Sequence, residues 1–82
     1  MQILPLKKRL VEYLSERGIA KLFEKQKQLF ERDPFHHSLH TELLNPKHLR
    51  IYSFRITRGY RAIFVYKGNA AIDIVDINNH YQ

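Results

Sequence analysis

Basic side chains without any acidic neighbour are the feature of this sequence with the clearest chemical meaning. No Asp or Glu lies between Glu42 and Asp73, whereas this interval holds Lys47, Arg50, Arg55, Arg58, Arg61 and Lys67. The rest of the chain has as many acidic as basic residues, so this basic window accounts for the formal net charge of +6. A single-sign window attracts an anion. With a pI near 9.8, it indicates nucleic acid as the partner, or alternatively an acidic protein.

Several histidines before and inside the window raise the alternative of a metal site. They are His36, His37, His40 and His48. Imidazole binds zinc, but the chain has no cysteine, and no three-ligand spacing with a carboxylate stands out. We therefore expect no metal and no cofactor. We expect His36 and His37 to shape a loop or to contact RNA.

Length and composition limit the class of protein. The 82 residues predict one domain, 1–82, and 44% hydrophobic residues suffice for one small core. The absence of cysteine excludes disulfides and agrees with a reducing cytosol. No apolar run has the length of a membrane span, and the first residues lack a signal peptide's apolar region. We expect a cytoplasmic protein with no membrane partner.

The first half of the chain has helical periodicity. Residues 1–4 form a short candidate edge strand. Leucines then recur every four residues, which predicts an amphipathic helix over about 6–17 that ends at Gly18. A second apolar stripe predicts a helix over about 19–32, which ends before Pro34. Because the connection at Gly18 is short, the two helices form a hairpin.

The second half has the alternation of strands. Residues 36–47 are predicted as a loop whose leucines touch the core. Three strands follow, at residues 51–56, 60–66 and 71–77. The chain is thus predicted as an α+β fold of order βααβββ, with a helical hairpin packed on one face of an antiparallel sheet. The opposite face is free to carry Arg55 and Arg61.

The turn between the first two of these strands decides where Arg55 and Arg61 lie. A three-residue loop, Thr57–Gly59, with Gly59 at positive φ, places the two arginines directly opposite each other. A two-residue turn would put Arg61 beside Ile56 on the apolar face, which is unfavourable for an unpaired Arg. Opposed like charges destabilise a sheet. We therefore expect both guanidinium groups to face solvent, with an anion or an acidic partner segment between them.

The strand sequences also resemble a known family. Tyr52–Ile56, Gly59–Phe64, Ile74–Ile77 and His80-Tyr81, with the upstream segments 33–39 and 42–44, are similar to the RelE/ParE superfamily of bacterial toxin–antitoxin toxins. The most specific part is the Tyr-Arg strand after a Gly turn, and the resemblance covers nearly the whole chain. It implies a compact toxin that is neutralised by an antitoxin wrapped around it. Many members cleave mRNA in the ribosomal A site, whereas a ParE branch targets DNA gyrase.

Within the superfamily, the active residues are most similar to the YoeB-like branch. That branch has a Glu before strand two, an Arg opening strand three and a C-terminal His-Tyr, which fall on Glu42, Arg61, His80 and Tyr81. Arg55 matches a further basic residue of the branch. The branch's aromatic–Ser–Arg–Arg strand lacks one Arg here, because Phe54 precedes Arg55. The lysines of the RelE branch are absent, which argues against its all-basic mechanism.

The activity implied by the resemblance is metal-free RNA cleavage with the ribose 2′-OH as nucleophile. It needs a base, a cation at the phosphate and an acid at the leaving 5′-oxygen. Glu42 is the candidate base, Arg61 the phosphate clamp and His80 or Tyr81 the acid. The other cations are candidate peripheral phosphate contacts: Lys47, Arg50, Arg58 and Lys67.

Each assignment has a structural alternative. Glu42 is alternatively a solvated loop carboxylate, and Arg61 is alternatively held in an ion pair with Asp73 or Asp76. The C-terminal His-Tyr pair is alternatively without a role.

The leading hypothesis is a toxin that acts as a ribosome-dependent mRNA endoribonuclease. Its partners would be the ribosome, mRNA and an acidic antitoxin, with operator DNA bound only through the antitoxin. Two alternatives remain open: a ParE-like gyrase inhibitor without nuclease chemistry, and a decayed toxin that binds only antitoxin and operator DNA.

Overall fold

The computed structural model describes residues 1–79. Its elements are β1 (Gln2–Ile3), α1 (Lys8–Glu16), α2 (Ala20–Arg32), β2 (Glu42–Leu43), β3 (Tyr52–Thr57), β4 (Tyr60–Lys67) and β5 (Ala71–Asn78). In this part of the chain, two helices pack on a five-stranded sheet of order β1-β5-β4-β3-β2. The predicted α+β fold, with a helical hairpin on a sheet, is confirmed. Neither helix is long and apolar enough to cross a membrane.

The sheet is mixed rather than wholly antiparallel. β1 runs parallel to β5, whereas the other three strand pairs are antiparallel. The backbone N–H of Gln2 donates to the carbonyl of Ala70 at 2.8 Å, and that of Ile3 donates to Glu31 Oε2 at 2.9 Å. This edge strand therefore joins α2 to the last strand. Its direction depends on a pairing across almost the whole chain, which local alternation does not encode.

The segment predicted as a loop over residues 36–47 contains regular structure. It holds β2 and a 3-10 turn at His37–Leu39, and a second 3-10 turn follows at Lys47–Leu49. A strand of two residues is too short for alternation to reveal. Leu39 is fully buried in the core, as predicted.

The core lies between the helical hairpin and the apolar face of the sheet. Phe54 of β3 packs on Phe23 and Phe30 of α2, with ring centroids 6.4 and 5.0 Å apart. Phe30 also meets Phe64 of β4 edge-on at 5.2 Å. Fully burying such a side chain contributes roughly 1.5–3 kcal/mol. This aromatic cluster fixes the sheet against α2, so the opposite face has a defined geometry.

The β3–β4 connection combines a two-residue turn with a β-bulge. Thr57 pairs with Tyr60 and Arg55 pairs with Arg61, so Ile56 is the extra residue of the bulge. The two arginines are therefore opposite each other, as predicted, but the three-residue loop was wrong. The positive φ predicted for Gly59 is also wrong. The bulge accounts for both outcomes, because it restores the register that a two-residue turn alone would shift.

Candidate active site on the open sheet face

The face of the sheet opposite the helices, here called the open face, collects the polar strand residues. Glu42 pairs with Ser53, Arg55 with Arg61, and Arg61 with Asn78. Side chains of one strand alternate between the two faces, and paired residues share a face. The register therefore gathers residues from β2, β3, β4 and β5 on one surface, although they are distant in sequence.

Arg61 is buried on this face rather than exposed. Its side chain is 2% exposed and is the largest fully buried side chain in residues 1–79. Its Nε donates to Ser53 Oγ at 2.9 Å, and its Nη2 donates to the His40 carbonyl at 2.5 Å. The prediction that Arg61 faces solvent beside Arg55 is therefore wrong. Burial is tolerated because oxygen acceptors replace water around the guanidinium group.

Glu42 stands beside the buried guanidinium group. Its Oε1 lies 3.9 Å from Arg61 Nη2, and its side chain is 42% exposed. The distance is that of an ion pair without a direct hydrogen bond. The structure thus brings two of the predicted catalytic residues together. The carboxylate is open to solvent, and its positive neighbour lies beneath the surface.

Arg55 lies on the same face as Arg61 but is less buried. It is half-buried on the open face, and within residues 1–79 no carboxylate lies within ion-pairing distance of it. Its backbone carbonyl accepts a hydrogen bond from Gln26 of α2 at 2.9 Å, which fixes the strand at the bulge. Arg55 is therefore a positive charge on the open face that no carboxylate of residues 1–79 pairs with.

Neither β5 aspartate holds Arg61. Asp73 Oδ2 lies 3.9 Å from Lys7 Nζ, and Asp76 Oδ1 lies 3.6 Å from Arg9 Nη1. Both basic partners come from α1 and the residue before it. The alternative that Arg61 forms a structural ion pair with Asp73 or Asp76 is therefore wrong, and these carboxylates instead join β5 to the helical layer.

The remaining cations of the basic window do not form one surface. All four are exposed: Lys47, Arg50, Arg58 and Lys67. Arg58 lies in the β3–β4 turn, near Arg55. Lys67 lies at the end of β4, about 20 Å along the strand from Arg61 at roughly 3.3 Å per residue, and Lys47 and Arg50 lie before β3 begins, at the same end of the sheet. Glu42 pairs with Ser53, which is three residues from Arg50 and five from Arg58, so cations beyond both ends of β3 flank Glu42.

The histidines do not form a metal site in the described part of the chain. Residues 1–79 contain no group of three His, Asp or Glu side chains that could hold a metal ion. The rings of His36 and His37 stack at 4.4 Å, and His36 Nδ1 lies 2.9 Å from Ser38 Oγ. These contacts give the histidines a role in shaping the loop. The predicted catalytic residues His80 and Tyr81 lie outside the described residues.

The structure as a whole is similar to a solved toxin structure. The YoeB/ParE toxin from Agrobacterium tumefaciens superposes with a TM-score of 0.73, over 99% of this chain and 100% of that chain. The chain has the fold of a YoeB/ParE toxin. The resemblance drawn from the sequence is confirmed at the level of the fold. The identity is 17%, so the likeness concerns the fold alone. No protein-family model and no curated protein matches the sequence significantly.

Within this toxin fold, two groups around Arg61 were missed by the sequence analysis. Ser53 was not predicted as a partner of Arg61, although a small hydroxyl residue between Tyr52 and Phe54 in a strand was an available signal. The carbonyl of His40 had no sequence signal, because any residue supplies a carbonyl. Both accept hydrogen bonds from the Arg61 guanidinium group.

Proposed function

We propose that this chain is the toxin of a type II toxin–antitoxin system and that it inhibits translation by cutting ribosome-bound mRNA without a metal ion. The approach of Glu42 to Arg61 supports this proposal, because it places an exposed carboxylate 3.9 Å from a guanidinium nitrogen. The toxin fold supports the wider assignment.

The proposed reaction uses a neighbouring group of the substrate as nucleophile. Glu42 accepts the proton of the ribose 2′-OH, whose oxygen attacks the adjacent phosphorus. The bond from phosphorus to the 5′-oxygen breaks, which leaves a 2′,3′-cyclic phosphate on one fragment. The leaving 5′-oxygen takes a proton from His80 or Tyr81 in this proposal. Each bond made and broken is thus assigned without an added reactant.

The burial of Arg61 changes the role proposed for it. A guanidinium group that is 2% exposed acts on developing negative charge from beneath the surface. A fixed charge in such a low-dielectric position acts more strongly than one in water. Arg55 is the better candidate for direct contact with phosphate oxygens, since it lies on the open face. Arg58, in the adjacent turn, would extend this contact.

The proposed partners follow from the same surface. An acidic segment of an antitoxin would compete with mRNA for Arg55 and Arg58, and it would cover Glu42. The ribosome would present the mRNA, and operator DNA would be contacted only through the antitoxin.

The variant Glu42→Gln tests this proposal most cleanly. It removes the proposed base and the negative charge beside Arg61 but keeps the shape of a partly exposed side chain, so we expect the free energy of unfolding to fall by no more than about 1 kcal/mol. We expect cleavage of ribosome-bound mRNA to fall by roughly 10²–10⁴-fold. The measurement is the rate at which new mRNA 5′ ends appear on programmed ribosomes.

Glu12→Gln is the matched control, because Glu12 is an exposed carboxylate on α1. It should cleave at the rate of the original protein. A Glu42→Gln protein that cuts mRNA at the original rate would show that Glu42 is not the base.

A second candidate function is gyrase inhibition without nuclease chemistry. It is favoured by the acceptors around Arg61, because oxygens of Ser53 and His40 satisfy donors that a clamp would offer to phosphate. In that case Glu42→Gln would still arrest growth, replication would stop before translation, and purified protein would block supercoiling by gyrase.

A further inference from the structure

Within residues 1–79, two oxygen atoms accept hydrogen bonds from the Arg61 guanidinium group. Nε and Nη2 donate to Ser53 Oγ and to the His40 carbonyl at 2.9 and 2.5 Å. These two nitrogens lie on the same edge of the planar guanidinium group. Two bonds to one edge fix both the plane and the direction of the group. Arg61 Nη2 is thereby held beside Glu42.

Ser53 contacts the Arg61 guanidinium group from the neighbouring strand. It is fully buried on β3, between its β2 partner Glu42 and its β4 partner Ile63. The Arg61 side chain reaches it diagonally across the β3–β4 pair. Ser53 therefore lies between the strands that carry the carboxylate and the guanidinium group, and it contacts the latter.

The His40 carbonyl is fixed by its surroundings. His40 adopts the left-handed conformation, with φ 47° and ψ 46°, directly after the 3-10 turn. On one side Leu39 is fully buried, and on the other Thr41 Oγ1 donates to the Pro34 carbonyl. The left-handed conformation is unusual for a residue other than Gly, and here it directs the carbonyl at Arg61.

We propose that Ser53 and the His40 carbonyl hold the Arg61 guanidinium group in a fixed orientation, and that Ser53 is a positioning residue for RNA cleavage. This inference rests on the proposed function, because positioning matters only if Arg61 acts on the reaction beside Glu42. Ser53 is fully buried and acts through Arg61 rather than on the substrate. Its loss should therefore lower turnover without weakening substrate binding.

The test compares Ser53→Ala with Ser53→Thr, which keeps the hydroxyl group. For Ser53→Ala we expect kcat for cleavage of ribosome-bound mRNA to fall by roughly 10- to 100-fold, with KM changed by less than about threefold. Ser53→Thr should recover most of the lost kcat. The core variant Ile74→Val should have a lowered unfolding midpoint but intact hydrogen bonds from Arg61 to Ser53 and the His40 carbonyl. It should therefore keep the original kcat. A Ser53→Ala protein with the original kcat would overturn the inference.

A second measurement separates this inference from the proposed function. The exchange rate of the Arg61 Nε proton with solvent, measured by NMR, reports on the bond to Ser53 without any substrate. We expect slow exchange in the original protein and in Ser53→Thr, and exchange at least about tenfold faster in Ser53→Ala. If the original protein cuts no mRNA, the proposed function fails. Faster exchange in Ser53→Ala would still support the inference that Ser53 orients Arg61. Unchanged exchange in Ser53→Ala would overturn it.

Discussion

A single residue, Arg61, shows most clearly how the structure changes the interpretation of the sequence. On a strand with alternating polarity, an Arg on the face opposite the core is expected to be exposed. Arg61 is instead 2% exposed, because a carbonyl 21 residues earlier in the chain and a serine on the neighbouring strand accept its hydrogen bonds. The pattern predicted its face and its partner Arg55 correctly. It could not predict burial, which depends on acceptors brought in by the loop before β2.

Arg61→Ala should therefore destabilise the protein rather than affect its activity alone. The change leaves the Ser53 hydroxyl and the His40 carbonyl without their donor and opens a cavity beneath Glu42. We expect a loss of roughly 2–4 kcal/mol in the free energy of unfolding, measured by urea denaturation. Arg58→Ala, in the exposed turn, should change it by less than about 0.5 kcal/mol. Equal urea midpoints for the two variants would show that the bonds to Arg61 do not support the fold.

At the scale of secondary-structure elements, apolar periodicity predicted the helices and strands whose pattern is local in the sequence. It missed the strands that are defined by a distant partner. The helical hairpin and the strands β3, β4 and β5 were predicted from apolar spacing and turn residues, and their bounds differ from the structure by one or two residues. β2 and the parallel pairing of β1 could not be predicted, because each strand has only two residues and is defined by a distant partner. The candidate site depends on β2, which carries Glu42. Its convergence with Arg61 was implied by the family resemblance and not by the local pattern.

The helical hairpin provides a prediction at this scale. Gly18 ends α1 with a φ of +70°, whereas Gly59 in the β3–β4 turn does not have a positive φ. A Cβ atom at either position would have no atom within 4 Å, so the two sites differ in backbone conformation and not in space. Gly18→Ala should cost about 1 kcal/mol in the free energy of unfolding.

Gly59→Ala is the matched control for this prediction. It should be neutral or stabilising by up to about 1 kcal/mol, because alanine restricts the unfolded chain. Urea denaturation of the two variants checks both expectations. If Gly59→Ala were the more destabilised of the two, the assignment of the positive φ to the end of α1 would be contradicted.

At the scale of the whole molecule, the basic window is a feature of the sequence and not of one surface. The fold sends Arg58 to one end of the sheet and Lys47, Arg50 and Lys67 to the other, while Arg61 is buried. Linear charge counts could not predict this division, because the direction of each strand alternates along the meander. What remains beside the buried guanidinium group on the open face is Arg55, with Arg50 and Arg58 beyond the two ends of β3.

The proposed nuclease activity can be tested by mapping mRNA ends on programmed ribosomes after addition of the purified protein, with gyrase supercoiling measured in parallel. We expect new 5′ ends at a defined position on ribosome-bound mRNA and unchanged supercoiling. Intact mRNA together with blocked supercoiling would contradict the proposal that Glu42 and Arg61 form the centre of a nuclease.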